Sequence, residues 1–109
     1  MECAIKDNKE IIEKEQEIIL PIRKSTPPSS LKVAAVNYLK TYKAVHLDCI
    51  GVAANYIATK AIIMIRAHLF TTGDELIYVP IYKDFKLEGT ENKIKTGIRW
   101  TLTLYKRSI

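Results

Sequence analysis

The chain has 109 residues, enough for one domain with its own hydrophobic core. Hydrophobic residues make up 48% and charged residues 27%, as in ordinary globular proteins, and no apolar run approaches the ~18 residues of a membrane-spanning helix. The formal charge of +5 is uneven, because residues 1–20 carry three lysines and six acids whereas residues 21–109 carry 14 basic and six acidic side chains. This basic majority favours a polyanionic partner.

Cysteine and histidine usage argues against metal sites and catalysis. Cys3 and Cys49 lie far apart without CxxC spacing, which predicts no disulfide framework or zinc ribbon. It favours a reducing compartment, which we expect to be the cytoplasm, with the nucleoid or the nucleus as alternatives. His46 and His68 are the only histidines, and no nucleophile elbow, phosphate loop or metal-ligand spacing accompanies them. We therefore expect no cofactor, no metal and no enzymatic activity.

The N-terminal segment differs in composition from the rest of the chain. Residues 1–16 are charged, and they predict a flexible acidic arm that could contact a protein partner, followed by one domain over residues 17–109. A first strand is predicted over residues 18–22, at a sheet edge or with a bulge, because Pro21 interrupts it. Residues 24–30 predict a loop in which a hydroxyl side chain caps the next helix and prolines mark its entry.

Two segments carry the apolar spacing of a helix that packs on one side. The first stripe is Leu31, Ala34, Ala35, Tyr38, Leu39 and Tyr42. The second stripe is Ala54, Ile57, Ala58, Ala61, Ile62 and Ile65. Between the helices we predict a short strand that ends at Gly51, with Val45, Leu47 and Cys49 on one face and His46, Asp48 and Ile50 on the other.

The second helix has further apolar residues outside its stripe, namely Tyr56, Ile63, Met64 and Ala67. A helix that is apolar on more than one side needs a second partner besides its own sheet. Two interpretations remain open at this point. Either the helix is buried more deeply within the monomer, or Tyr56, Ile63 and Met64 form a dimer interface.

The C-terminal third predicts two strands. The apolar run over residues 76–81 predicts a buried strand, Phe85 and Leu87 then alternate with polar residues, and residues 88–92 predict a hairpin tip. The last strand alternates cleanly, with Ile98, Trp100, Leu102 and Leu104 on one face. The order β-α-β-α-β-β predicts an α+β two-layer sandwich, with two helices on one face of a four-stranded sheet.

Several of these segments also share the order and spacing of a known family. Ile50-Gly51 is followed by Ala54, Ala58, Lys60-Ala61 and Arg66. Residues 73–85 run from a glycine through an apolar stretch to a proline, an aromatic residue and an aspartate, and residues 23–27 form a basic loop with Ser and Pro. Over about residues 18–105 the chain resembles the stage V sporulation protein S family.

That family is Alba-like, and the resemblance implies a β-α-β-α-β-β fold and a homodimer that binds DNA or RNA without catalysis. We expect no membrane partner, because no apolar run is long enough to span a bilayer. It implies contacts from the first β–α loop, from the turn before the second helix and from the β3–β4 hairpin, through Arg23, Lys24, Ser25, Gly51, Lys83, Lys86, Lys93 and Lys95. The chain departs from the pattern at the turn, where Ile50 precedes Gly51 instead of arginine and Ala53 replaces a second glycine.

Plainer interpretations stay open for each of these positions. Lysines on an edge hairpin also protect against aggregation, the first loop could simply be solvated, and Gly51 could serve only the turn. Tyr42, Tyr56, Tyr78 and Tyr82 could stack on bases, although tyrosines in apolar stripes are usually core. Two hypotheses follow: a nucleic-acid-binding dimer of low sequence specificity, or a protein-interaction subunit with the same fold.

Overall fold

In the described part of the chain, six elements follow one another in the predicted order β-α-β-α-β-β. They are β1 (Glu17–Ile22), α1 (Pro28–Thr41), β2 (Ala44–Cys49), α2 (Val52–Thr71), β3 (Asp74–Lys86) and β4 (Ile94–Lys106). The computed structural model describes residues 16–86 and 93–106, so the predicted acidic arm up to residue 15 and the predicted hairpin tip lie outside the described residues. The order and the two-layer α+β architecture are confirmed.

The four strands form one sheet in the order β1-β2-β4-β3. β1 runs parallel to β2, as expected when a helix connects the two strands, and the other neighbours are antiparallel. β1 therefore lies at an edge, where Pro21, opposite Asp48, can lack a backbone N–H without interrupting a central ladder. The predicted edge position of this strand is confirmed.

The start of α1 differs in one respect from the prediction. Pro27 occupies the N-cap position with extended backbone and no side-chain cap, and Pro28 is the first helical residue. Proline is tolerated there because the first N–H groups of a helix have no partner within the helix. Prolines at the helix entry are confirmed, but the predicted hydroxyl cap is wrong.

Both helices cover one face of the sheet, which we call the helix face; the other is the open face. The predicted stripe of α2 is buried except for Ile57, which is half-buried and packs against the core. From the sheet, Val45, Leu47, Cys49 and Leu102 enter the same core. Burial of a side chain such as Leu47 stabilises the fold by about 1.5–3 kcal/mol. Within residues 16–86 and 93–106, neither helix is long and apolar enough to cross a bilayer.

The third strand corrects a prediction. Leu76 is buried, but Ile77, Tyr78, Val79 and Ile81 are 44–51% exposed, so residues 76–81 do not form a buried strand. β3 is an edge strand that pairs only with β4, and none of the helices in the described part of the chain covers its open face. A continuous apolar run is typical of buried strands. It is also found in an edge strand whose two faces are exposed in the monomer and can be covered by another molecule.

Candidate nucleic-acid interface

The strand register brings the predicted contact segments to one end of the sheet. Ile22, Cys49, Ile98 and Tyr82 form one row across the four strands. Arg23 directly follows the end of β1, Gly51 lies two residues after the end of β2, and Lys83 is the next residue of β3. The three segments lie far apart in sequence, yet they all emerge at this end, which we call the basic end.

The first loop is a closed turn at the basic end. The Thr26 N–H donates to the Arg23 carbonyl at 3.0 Å, and the Arg23 N–H donates to Thr26 Oγ1 at 3.1 Å. Arg23, Lys24 and Ser25 are all exposed. The hydroxyl that organises the turn is therefore that of Thr26, and the two cations face solvent beside the start of α1.

At the same end, β3 and β4 continue beyond β2. Residues 94–97 of β4 pair only with residues 83–86 of β3, and we call this two-stranded part the β3–β4 extension. The register places Lys83, Phe85 and Lys95 on the open face and Asp84 and Lys86 on the helix face.

The two sides of the β3–β4 extension differ in charge. The Thr96 hydroxyl donates to Asp84 Oδ1 at 2.7 Å on the helix face, so a carboxylate lies on the same side as Lys86. Lys83 and Lys95 share the other side with Phe85. Lys93, just before β4, is exposed. The open face of the β3–β4 extension is therefore the better side for a phosphate group.

Gly51 has a conformation that explains its identity without a ligand. Its φ of +91° is one that side-chain-bearing residues rarely adopt, and it occupies the N-cap of α2. The Asn55 side chain donates through Nδ2 to the Gly51 carbonyl at 2.9 Å, which holds the turn. Nucleic-acid contact at Gly51 stays a prediction.

The predicted dimer residues differ in exposure. Tyr56 and Ile63 are each 63% exposed, whereas Met64 is half-buried. Tyr56 lines one groove with Tyr82 beside the start of α2, and Ile63 lines a smaller cavity with Tyr78 and Trp100. We call Tyr56, Ile63, Tyr78 and Tyr82 the α2–β3 surface. Deep burial within the monomer does not describe Tyr56 or Ile63.

Sequence reasoning missed the strand half of the α2–β3 surface. Tyr82 is 83% exposed, and Tyr78 lies in the run for which the sequence predicts burial. The only signal is that residues 77–82 are apolar at nearly every position, on both faces of the strand. Such a strand needs a covering partner on each face.

On the open face of the sheet, polar side chains of neighbouring strands contact one another. Arg99 donates to Asp48 through Nε at 2.6 Å and through Nη2 at 2.9 Å. The pKa of Arg99 is raised mainly by this hydrogen bonding to Asp48. His46 Nε2 lies 2.5 Å from Glu17 Oε1, and this hydrogen bond lowers the pKa of Glu17. His46 and Asp48 thus have separate partners and do not act as a pair.

These contacts limit what the open face can do chemically. Arg99 is paired with a carboxylate, so it is not a free cation for phosphate. Across the described ranges, no three His, Cys, Asp or Glu side chains are placed to hold a metal ion together. The expectation of no metal stays a prediction for the whole chain.

The chain matches the model of a known protein family. The model of the family described as stage V sporulation protein S matches residues 18–105. The matched range runs from β1 into the last residues of β4, and so includes every element of the sandwich. The protein therefore belongs to the stage V sporulation protein S family.

Proposed function

We propose that the protein is a non-catalytic, dimeric nucleic-acid-binding protein of low sequence specificity. The observation that carries the proposal is the convergence of Arg23 and Lys24, Lys83, and Lys95 at the basic end. Cations on projecting segments neutralise phosphates and release condensed counterions, which favours binding without reading bases.

The absence of catalysis in this proposal is supported by the state of His46 and Cys49. Both ring nitrogens of His46 are hydrogen-bonded, to Glu17 and to Thr101 Oγ1 at 2.9 Å. Cys49 is fully buried, and burial raises the pKa of its thiol to about 11, so the thiol is protonated at neutral pH. Neither group is available to a substrate.

Dimerisation is supported by the α2–β3 surface. Its four side chains are exposed, large and apolar, and they come from two adjacent elements. Aromatic side chains of this kind dominate the stable centres of protein interfaces, and two-fold dimers are the commonest way to cover such a surface. In sedimentation equilibrium we expect the dimer mass, and the monomer mass after Tyr56→Glu with Ile63→Glu. A monomer mass for the unchanged protein would overturn this part.

Binding is tested directly by fluorescence anisotropy with duplex DNA, duplex RNA and single strands at low salt. We expect binding of at least one of these ligands, with similar affinity for unrelated sequences of the same type. The test variant carries Lys83→Gln, Lys86→Gln, Lys93→Gln and Lys95→Gln. The control is Lys40→Gln in the last turn of α1, away from the basic end, which removes one exposed cation. Absence of binding to all three ligands would refute the proposal.

A second candidate function is that of a protein-interaction subunit. The exposed α2–β3 surface favours it, because the same side chains could receive a different protein instead of a second copy. A role of residues 1–16 in such contacts stays a prediction, since residues 1–15 lie outside the described residues. This candidate would take the place of the first if the protein neither bound nucleic acid nor formed a homodimer.

A further inference from the structure

The β3–β4 extension needs support that its own hydrogen bonds do not provide. Residues 98–102 of β4 pair with strands on both sides, whereas residues 94–97 pair with β3 alone. A two-stranded antiparallel ladder is marginally stable in water. The direction of the β3–β4 extension relative to the sheet therefore depends on the groups that pack at the point where the extension leaves the sheet.

Gly97 lies at this junction, and it is buried. A Cβ added there would lie 2.3 Å from the Cys49 carbonyl oxygen, 2.8 Å from Phe85 Cε2 and 3.1 Å from Ile50 Cγ1. Gly51 and Gly73 differ from Gly97, because they have positive φ and no atom within 4 Å of an added Cβ. A glycine is required at position 97 because a side chain has no room there. At positions 51 and 73 it is required because of the backbone conformation.

Phe85 and β2 occupy that space from two sides. Phe85 belongs to the β3–β4 extension, and its ring reaches back over Gly97 on the open face, where it becomes half-buried. The Cys49 carbonyl and the Ile50 side chain approach from β2. An aromatic ring that packs over a glycine on the neighbouring strand is a known way to fix a strand pair. The β3–β4 extension is thus clamped to the end of β2.

We propose that Gly97 and Phe85 are positioning residues, which hold the β3–β4 extension so that Lys83 and Lys95 contact the same phosphodiester backbone as Arg23 and Lys24. This inference rests on the proposed function. Neither Gly97 nor Phe85 needs to touch the ligand. Their contribution is to keep two groups of cations, carried by opposite edges of the sheet, in one fixed arrangement.

The experiment uses two variants of the full chain and a matched control. Gly97→Ala places a methyl group against a backbone carbonyl that must then move, and Phe85→Leu removes the ring but keeps an apolar side chain. Gly73→Ala is the control, because it strains a positive-φ glycine at the other end of β3. Circular dichroism identifies variants that remain folded, and Phe85→Leu keeps the test decisive if Gly97→Ala does not fold.

Two measurements are made on each folded variant. The first is amide hydrogen exchange of residues 83–86 and 94–97, without ligand, relative to residues 98–102. The second is the salt dependence of duplex binding. We expect faster exchange in the β3–β4 extension only. We expect the affinity to fall as much as after Lys83→Gln with Lys95→Gln, and the log–log salt slope to become shallower by about 2, the value for two lost phosphate contacts.

The two measurements separate the possible failures. Unchanged exchange in both variants would overturn the clamp. Faster exchange with the affinity and slope of the Gly73→Ala control would overturn the positioning role. If the unchanged protein bound no nucleic acid, the proposed function and the positioning role would both fail, and the exchange data would still decide whether Gly97 and Phe85 form the clamp.

Discussion

Arg99 and Asp48 form a bidentate ion pair that joins β4 to β2 on the open face of the sheet. Their side chains are only 16% and 13% exposed, so water screens the pair weakly. Arg99 lies on the same strand and the same face as Lys95, yet the two cations have different environments. The pairing assigns Arg99 to stability and leaves Lys95 for a ligand.

The variant Arg99→Gln should therefore lower stability without weakening nucleic-acid binding. We expect a loss of about 1–3 kcal/mol in the free energy of unfolding, because the Asp48 carboxylate loses its charged hydrogen bonds. Lys95→Gln, an exposed position on the same strand face, should show the opposite pattern. Urea unfolding and duplex binding measure both effects. A loss of affinity without loss of stability in Arg99→Gln would contradict this assignment.

The contact between His46 and Glu17 predicts a specific response to acid. The folded-state pKa of Glu17 is lowered by the hydrogen bond from His46. The contact therefore stabilises the fold above the unfolded-state pKa of Glu17, and this contribution is lost as the pH falls through the folded-state pKa. The urea midpoint of Glu17→Gln should lie below that of the unchanged protein near neutral pH, and the two should converge in acid. A difference that is independent of pH would be inconsistent with this cause.

Truncation of the buried stripe of α2 should be costly. Ile62 is 4% exposed and lines a small cavity with Trp100, at the interface between α2 and the sheet. We expect Ile62→Ala to lower the free energy of unfolding by about 2–5 kcal/mol. Val33→Ala, at an exposed position on α1, is the control and should change it by less than about 0.5 kcal/mol. Equal thermal midpoints for the two variants would contradict the assignment of Ile62 to the buried side of α2.

The parts of the fold that are predictable from the sequence are those with a local period. Leu47 and Ile62 repeat with their neighbours at strand and helix spacing, so the spacing alone assigns the buried sides of β2 and α2. The exposure of Tyr78 is not predictable in this way. It depends on β3 being an edge strand, which is decided by which strands pair across the sheet.

The candidate site also combines features that are predictable from the sequence with features that are not. The cationic segments can be named from the sequence, because Lys83 and Lys95 are charged wherever they lie. The pairing of Arg99 with Asp48 depends on a register between residues 51 positions apart. The role of Gly97 depends on the approach of the Cys49 carbonyl, which leaves no signal in the sequence. Contacts made across the sheet are visible only in three dimensions.

The cations of the basic end are proposed to bind phosphates, and the salt dependence of duplex binding tests this most directly. The measurement compares the unchanged protein with the variant that carries Gln at positions 83, 86, 93 and 95. With about four phosphate contacts, the log–log slope of the unchanged protein should lie near −3 to −4. The variant should give a shallower slope and weaker binding to all sequences alike. An equal slope for the two proteins would contradict phosphate binding by these lysines.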